Sequence, residues 1–489
     1  MPSPFPPTTW LSPLLVQPAP PLEPLLLRLG PLELLSAGRW LPITLVYTST
    51  MHDTIALRSS LASALVCHPI FAGRMHWTVP SIDSVASRVC VRVDEATSGV
   101  MFSEGSSSLA LSDVVVCPSA TKWHARERMV KQCFLPPTAS SPKPKDVRTL
   151  IRDSIPLLHV SVVHLRDGGT VICAEFAHGI CDGGSCFEFL SSWAAATIRG
   201  STNTLATPTS HDNRCVNSDT MSITKGPYDL IRQALHDHPP QAPSSWLFVS
   251  STPKVHQTFA KGTRLVHSAI YRLSAAQLDR LKAASSHQHG RISTNDAVSA
   301  FIWRVTSSLP SRLHRPSHLR MLMNFRPDLT LHRQVPGNMV YSIVASDSQD
   351  TPASTSPLDA LAGLCRAAVD TAKASVIADL GAIYAKPWTR IFWNEPADTS
   401  ACVTYVTNLS RYNFCSLPLA PGDPRNAPRD SHQTSAVDQL ESPYGAFPFL
   451  FQLYADPRCG VRVVAHLPQD EREVFDALWG GLLPRPWGS

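Results

Sequence analysis

The sequence predicts an α/β protein built of two domains of similar size. Apolar runs typical of strands alternate with helical patterns in both halves of the chain, as in mixed α/β architectures. Residues 201 to about 253 are rich in proline and polar side chains and separate the two halves. We therefore expect an N-terminal domain over 1–200, a long crossover over 201–255 and a C-terminal domain over 256–489.

The elements of the first half follow from hydrophobic spacing. Residues 41–47 (LPITLVY) form an apolar run with its proline near the start, where a strand tolerates it. A helical pattern with one apolar face covers 57–65 and should end before Pro69. Two strands of a hairpin, joined by an Asp-Gly-Gly turn, and a helix are then predicted over 159–165, 170–177 and 185–200.

The crossover and the second half contain further elements of both kinds. A short helical piece is predicted at 228–235, inside the crossover, and irregular surface loops at 136–145 and 418–439. A helix with Val298, Phe301, Ile302 and Val305 on one face should have Ser293 or Thr294 as its N-cap. The other predicted elements are a strand at 263–271, helices at 275–284 and 358–372, a strand at 461–467 and a terminal helix around 474–478.

Composition narrows the class of protein. The 489 residues are 43% hydrophobic and 17% charged with a net charge of +5, so a sizeable core is available and the signature of disorder is absent. The charges are dispersed, without a basic stripe or an acidic tail, so we expect neither nucleic acid nor a membrane surface as a partner. Proline (43 residues) is enriched and glycine (23) is depleted, which favours stiff connections.

Cysteine spacing and the N-terminus indicate the compartment. The 12 cysteines include no CxxC pair, so we expect reduced, buried thiols rather than a disulfide scaffold or a zinc site. The N-terminal 30 residues are apolar but broken by many prolines and lack a basic start, unlike a signal peptide or an anchor. No later stretch has the roughly 18 apolar residues that a membrane span needs. We expect a cytoplasmic protein.

The segment His178-Gly-Ile-Cys-Asp182-Gly183 is the strongest candidate for chemistry. It lies between a predicted strand and a predicted helix, where a scaffold can present a side chain rigidly. Histidine titrates near neutrality and can relay a proton, while an aspartate four residues later can fix the loop through an ion pair. Gly183 and Gly184 permit a tight turn. Cys181 invites a nucleophile hypothesis, although neighbouring side chains in a tight loop usually point apart.

This segment resembles the HxxxDG motif of the BAHD acyltransferases, an acyl-CoA-dependent family. Other segments are similar to family motifs in the right order, so that the resemblance covers about residues 16 to 480. These segments are LGPLEL at 29–34, LRSSLASALVCHPIFAGR at 57–74, residues 99–113, SAFIWR at 299–304 and MNFRPDLTLHRQVPGN at 323–338. The resemblance implies two chloramphenicol-acetyltransferase-like domains with mixed sheets and an active site in a channel at their interface.

One family signature, DFGWG, is degraded. TNLSRY at 407–412 resembles the segment that precedes it, and an ungapped count places the signature at 418–422, where Gly422 alone agrees. Because the signature is regarded as structural in the family, loss of activity does not follow. Packing near the coenzyme channel, and any acceptor contact of the missing tryptophan, are the properties in doubt.

The resemblance implies a role for each site residue. His178 would be the general base, with Gly183 permitting the loop, and Thr407 the candidate donor to the oxyanion. Asp182 would give structural support through an ion pair with Arg326 that ties the two domains together. Acyl-CoA would be a cosubstrate rather than a bound cofactor, and its phosphates would need cations, for which the sequence offers Lys386, Arg390 and Arg411 without choosing among them.

The predicted reaction is transfer of an acyl group from acyl-CoA to a hydroxyl of a small-molecule acceptor by a monomeric enzyme. No metal site is suggested by the sequence. A condensation-type domain is disfavoured because Ala177, not a second histidine, precedes His178. Two alternatives stay open: N-acylation of an amine or polyamine, which would need an acidic acceptor pocket, and a non-catalytic binding protein on the same fold.

Overall fold

The computed structural model describes residues 7–48, 54–78, 89–115, 133–136, 147–202, 224–236, 238, 247–248, 266–286, 291–347, 352–385, 391–392, 401–419, 438–440, 448–456 and 460–484. The strands are β1 (Thr9–Trp10), β2 (Leu14–Val16), β3 (Leu25–Arg28), β4 (Trp40–Tyr47), β5 (Arg74–Trp77), β6 (Val89–Val93), β7 (Val100–Ser107), β8 (Leu158–Leu165), β9 (Thr170–Ala177), β10 (Leu247–Phe248), β11 (Val266–Ser274), β12 (Ser317–Asn324), β13 (Val340–Ser346), β14 (Ile391–Phe392), β15 (Cys402–Asn408), β16 (Asp438–Leu440), β17 (Leu450–Ala455) and β18 (Gly460–Pro468). The helices are α1 (Pro31–Leu35), α2 (Thr54–Cys67), α3 (Leu111–Val115), α4 (Val147–Arg152), α5 (Gly183–Thr202), α6 (Pro227–Ala234), α7 (Ala275–Ala284), α8 (Thr294–Ser307), α9 (Leu358–Ala385) and α10 (Arg472–Leu482).

Two mixed sheets organise the fold. The first sheet has the strand order β1-β7-β8-β9-β4-β16, with β2 also paired to β7, and its β7–β8 pair is parallel. The second sheet has the order β11-β18-β17-β15-β12-β13, with β12, β15 and β17 mutually parallel. Two smaller sheets, β3-β6-β5 and β10-β14, complete the described strands. The predicted α/β class with mixed sheets is confirmed.

Helices cover one face of each sheet and build two main cores. In the first half, α2 and α5 lie side by side, and Phe71, Phe176 and Phe189 form a cluster of ring contacts beneath them. In the second half, α8 and α9 pack together on the second sheet, where Trp303 is fully buried. Burying such aromatic side chains contributes roughly 1.5–3 kcal/mol each.

The chain after Thr407 crosses from the second half to the first. Phe414, Cys415, Leu417 and Leu419 are buried in the apolar core of the first half, and the Tyr47 hydroxyl donates to the Leu417 carbonyl over 2.8 Å. Strand β16 then pairs antiparallel with β4 as the edge strand of the first sheet. The second half therefore supplies both core residues and a strand to the first sheet, and the domain limits 1–200, 201–255 and 256–489 stay predictions.

Most predicted elements are present, with several corrections. The helix predicted from Ser185 begins two residues earlier, at Gly183, because Asp182 caps it. The irregular surface loop predicted over 418–439 is wrong at both ends, because Leu419 is fully buried and residues 438 and 439 belong to β16. The loop predicted at 136–145 lies outside the described residues except for Pro136.

The structure can be compared with the predictions of reduced thiols and of no membrane-spanning segment. Among the described residues, eight cysteines are buried as reduced thiols, whereas Cys67 is disulfide-bonded, so the expectation of uniformly reduced thiols is wrong for that residue. In the described part of the chain, no helix combines the length and the apolar character that crossing a membrane requires.

Candidate active site

His178 lies in the loop of residues 178–182 between β9 and α5, here called the histidine loop. Its backbone N–H donates to the Arg39 carbonyl over 2.8 Å, and its Nδ1 lies 2.8 Å from the Cys181 carbonyl oxygen. A carbonyl oxygen can only accept, so Nδ1 carries the proton of the neutral ring. The Nε2 lone pair is consequently left available to accept a proton.

The surroundings of His178 favour its neutral form. Burial lowers the pKa of His178, the hydrogen bond to Cys181 opposes this shift, and the charge of Arg39 lowers the pKa further. The side chain is nevertheless partly exposed. A partly exposed imidazole that is neutral at pH 7 is suited to accept a proton from a substrate.

Asp182 faces the second half of the protein rather than the imidazole. Its Oδ1 accepts from the Ser185 N–H over 2.9 Å, which makes it the N-cap of α5. Its Oδ2 accepts from Arg326 Nη1 over 2.8 Å and from the Met339 N–H over 3.0 Å. Burial alone would raise the pKa of the Asp182 carboxyl, but the charge and hydrogen bonds of Arg326 outweigh it and lower that pKa. Asp182 is therefore a buried carboxylate.

Arg326 uses its whole guanidinium group inside the protein. Besides Asp182 Oδ2, Nη1 reaches the Asn324 side-chain oxygen over 3.3 Å, and Nε donates to the Val335 carbonyl over 2.8 Å. Nη2 donates to Ser185 Oγ over 2.8 Å and to the Gly337 carbonyl over 3.0 Å. A guanidinium has five N–H donors, and all five are engaged. Lysine has three donors and no planar fork, so it could not replace this set.

A second connection joins the histidine loop to the segment that follows Arg326. The Gly337 N–H donates to the Ile180 carbonyl over 3.0 Å, and Gly337 has φ +119°, which favours glycine. The Asn338 side chain donates to Ser36 Oγ over 2.9 Å and to the Leu32 carbonyl over 3.3 Å. The second half thus contacts both the histidine loop and α1.

Gly183 and Gly184 sit where the second half approaches α5. A Cβ atom at Gly183 would lie 2.4 Å from Leu409 Cδ2, and one at Gly184 would lie 2.7 Å from the Tyr412 hydroxyl oxygen. The two glycines therefore permit close approach of the residues that follow β15.

Thr407 lies on β15 of the second sheet, opposite Gln452 on β17. It is half-buried on the face that does not carry the buried Thr404 and Val406. Among the described residues its hydroxyl makes no hydrogen bond. Leu409, two residues later, packs beside Gly183, which brings this end of β15 near the start of α5.

Gln452 belongs to a polar chain that sequence reasoning missed. His466 Nε2 lies 3.3 Å from Gln452 Oε1, and His466 Nδ1 lies 2.8 Å from Ser268 Oγ. Burial lowers the pKa of His466 to about 4, so the ring is neutral at pH 7. Its Nε2 donates to Gln452, Nδ1 accepts from Ser268, and the Gln452 amide NH2 keeps its own donors. Ser268, Gln452 and His466 meet because of the register of β11, β17 and β18, so their spacing in the sequence could not have revealed this hydrogen-bonded set.

Two other residues near the histidine loop were assigned no role in the sequence analysis. Arg39 borders His178 through its carbonyl, and Glu33 is fully buried in α1. Burial raises the pKa of Glu33 to about 7, against hydrogen bonds that include those from the Gly30 N–H and the Tyr384 hydroxyl. Glu33 Oε2 lies 2.9 Å from the Gly30 nitrogen and 3.4 Å from the Tyr384 oxygen.

The structure describes some of the other candidate residues from the sequence analysis. Arg411 is exposed, contacts the Tyr412 hydroxyl and lies 4.6 Å over the Tyr412 ring, while Lys386 and Arg390 fall outside the described residues. The Cys181 thiol is buried 3.5 Å from Cys186 Sγ and 3.5 Å from the Ala177 carbonyl oxygen. No group of three or more His, Cys, Asp or Glu side chains within the described ranges could hold a metal ion.

Comparisons with known proteins extend this picture. The model of the Transferase family matches residues 9–373. The chain is 26% identical over 292 residues to putrescine hydroxycinnamoyltransferase 2 of Oryza sativa subsp. japonica, which covers 59% of this chain and 78% of that relative.

Solved structures share the fold at low sequence identity. F. graminearum TRI101 complexed with ethyl coenzyme A superposes with a TM-score of 0.63 at 14% identity, covering 94% of this chain and 99% of TRI101. Vinorine synthase superposes with a TM-score of 0.60 at 18% identity, covering 97% of this chain and 98% of vinorine synthase. Because the family model matches well over half of the residues, the chain belongs to the Transferase family, that of the BAHD acyl-CoA-dependent acyltransferases.

Proposed function

We propose that this protein transfers the acyl group of an acyl-CoA to a hydroxyl of a small-molecule acceptor, with His178 as general base. The observation that carries the proposal is the state of the imidazole: Nδ1 donates to the Cys181 carbonyl, and burial lowers the pKa of the ring. The neutral ring therefore offers a basic Nε2 at physiological pH.

The reaction needs one proton carrier and no covalent acyl-enzyme. The acceptor oxygen attacks the thioester carbonyl carbon while Nε2 of His178 takes the hydroxyl proton. The C–S bond then breaks, and the imidazolium returns the proton to the departing coenzyme A thiolate. The products are an ester and free coenzyme A, and His178 is again neutral.

The negative charge on the carbonyl oxygen needs a fixed donor during this step. We assign that role to Thr407, whose half-buried hydroxyl is uncommitted among the described residues and lies on the strand that ends near Gly183. A hydroxyl held by a strand costs little reorganisation when the charge develops.

Asp182 and Arg326 serve this reaction as positioning residues. Their ion pair and the Gly337 N–H to Ile180 carbonyl bond fasten the histidine loop to the second half. This arrangement supports an active site between two domain-like halves, open to acyl-CoA and to the acceptor. TRI101 structures that contain coenzyme A share the fold, which agrees with acyl-CoA as cosubstrate. The monomeric state and the cytoplasmic setting stay predictions.

An amine acceptor is the second candidate. The relative named putrescine hydroxycinnamoyltransferase 2 favours it, since putrescine is a diamine. Two observations argue against an amine acceptor. The Asp182 carboxylate is paired with Arg326. The other charged neighbour that acts on His178 is the cation Arg39, which has no partner among the described residues.

The test compares His178→Ala with wild type over a panel of acyl-CoA donors and acceptors, measuring coenzyme A release and product mass. We expect His178→Ala to lose acyl transfer, while the matched variant His238→Ala, at an exposed histidine away from the loop, keeps it. Equal transfer by His178→Ala and wild type would exclude His178 as the base. Absence of transfer by wild type with every donor would favour a non-catalytic binding protein.

A further inference from the structure

Arg39 stands directly opposite His178 at the end of an antiparallel strand pair. The register of β4 and β9 ends with Trp40 opposite Ala177, so one further step places Arg39 opposite His178. The His178 N–H to Arg39 carbonyl bond of 2.8 Å shows that the pairing continues over this step. Directly opposed residues have Cβ atoms about 5 Å apart and project their side chains on the same side of the sheet.

In the part of the chain that the structure describes, the guanidinium of Arg39 has no partner. Within the described ranges it makes no hydrogen bond, ion pair or ring contact, in contrast to the five bonds of Arg326. Arg39 is exposed, although the surrounding protein buries the guanidinium enough to lower its pKa. Its charge lowers the pKa of the His178 ring, which agrees with the opposed positions of the two residues in the register of β4 and β9.

An unpaired cation beside a general base discriminates between acceptors. A protonated amine brought to His178 would meet a like charge in a partly desolvated space, which is unfavourable. A carboxylate on the acceptor could instead take two parallel N–H bonds from the planar guanidinium. The nearby carboxylate of Asp182 cannot neutralise Arg39, because its oxygens are occupied by Arg326, Ser185 and Met339.

We propose that Arg39 is a specificity-determining residue that binds a carboxylate of the acceptor and rejects cationic amines, so that the acceptor is a hydroxy acid. The inference rests on the proposed function of His178. The hydroxyl of such an acceptor meets Nε2 of His178 while its carboxylate pairs with the guanidinium. The chemistry of transfer is unchanged, and Arg39 takes no part in proton movement.

The test uses acceptor triplets built on one carbon skeleton: a hydroxy acid, the methyl ester of that acid, and the corresponding diamine. Wild type should use the hydroxy acid most efficiently and the diamine least. Arg39→Met should lower kcat/KM for the hydroxy acid by roughly 10- to 100-fold, the usual loss for a charge-assisted hydrogen bond, and leave the ester nearly unchanged. Arg39→Glu should reverse the ratio of acid to diamine. Arg148→Met, at an exposed arginine of α4, should keep the wild-type ratios.

The outcomes separate this inference from the proposed function. If Arg39→Met and Arg39→Glu keep the wild-type acceptor ratios while His178→Ala abolishes transfer, Arg39 does not select the acceptor. A wild type that prefers the diamine overturns the inference in the same way. If His178→Ala retains transfer, the proposed function itself fails. Should Arg39→Glu fold poorly, Arg39→Met alone decides, because it preserves the aliphatic length of the side chain.

Discussion

Arg326 Nη1 lies 2.8 Å from Asp182 Oδ2, and the two side chains are 2% and 3% exposed. This ion pair joins the histidine loop of the first half to the segment that follows β12 in the second half. Because Asp182 also caps α5, the same carboxylate fixes the loop, the helix and the partner segment. Removing either partner would leave a charge buried without compensation.

We predict that Asp182→Asn lowers the free energy of unfolding by about 3–5 kcal/mol, the usual cost of breaking a buried ion pair. Urea denaturation followed by circular dichroism measures this change. The matched control is Arg333→Met, which breaks the ion pair between the exposed Arg333 and the partly buried Glu188 and should cost about 1 kcal/mol or less. Equal losses in the two variants would show that the Asp182–Arg326 pair does not hold the loop.

The pH dependence of kcat/KM should reflect the lowered pKa of His178. Burial and the charge of Arg39 lower this pKa from its ordinary value of 6.5, so the base form persists below that pH. Activity should therefore fall on the acid side with an apparent pKa below 6.5. In Arg39→Met the apparent pKa of this acid limb should rise, because the charge that lowers the pKa of His178 is removed. A wild-type limb at or above 6.5 would contradict the environment described for the imidazole.

Stability should depend on pH through Glu33. Burial raises its pKa to about 7 from 4.5, so the folded protein holds a proton that the unfolded chain releases above pH 4.5. The stability associated with this proton is fully present below pH 4.5 and is lost as pH rises to about 7.

Glu33→Gln removes this titration, so it should gain stability relative to wild type between pH 5 and pH 8. The rise of the Glu33 pKa from 4.5 to about 7 means that the free energy of unfolding of Glu33→Gln, relative to that of wild type, should increase by on the order of 3 kcal/mol over this range. Urea denaturation at the two pH values measures it. A constant difference would mean that Glu33 does not titrate in this range.

The proposed role of Thr407 can be tested with one variant that removes its hydroxyl and one that keeps it. Thr407→Val should lower kcat by roughly 10²–10³-fold if the hydroxyl stabilises the oxyanion, with little change in KM. Thr407→Ser retains the hydroxyl and should keep most of the activity. Steady-state kinetics at saturating acyl-CoA gives both constants. A valine variant with unchanged kcat would remove Thr407 from the mechanism.

Elements with strong local signals could be predicted from the sequence. The α8 helix begins after Ser293 because that side chain accepts from the Asp296 N–H, as the capping pattern predicts. The β8–β9 hairpin follows from two apolar runs and an Asp-Gly-Gly turn. Both depend on residues close together in the chain.

Features that depend on distant residues could not be predicted from local patterns. Asp182 and Arg326 are 144 residues apart, and only a family resemblance suggested their pairing. Arg39 gave no signal because its relation to His178 arises from the register of β4 and β9. Strand β16, with the sequence DQL, is too short and polar to be recognised without its partner β4.

The placement of β16 has a consequence for synthesis of the protein in the cell. β4 is made early, but the strand that covers its outer edge emerges about 390 residues later, which takes on the order of 20 to 80 s at ordinary rates of translation. During that interval the nascent first sheet presents an unpaired edge, the kind of surface that pairs with other chains. The most hazardous stage for this protein is therefore the time on the ribosome before β16 appears.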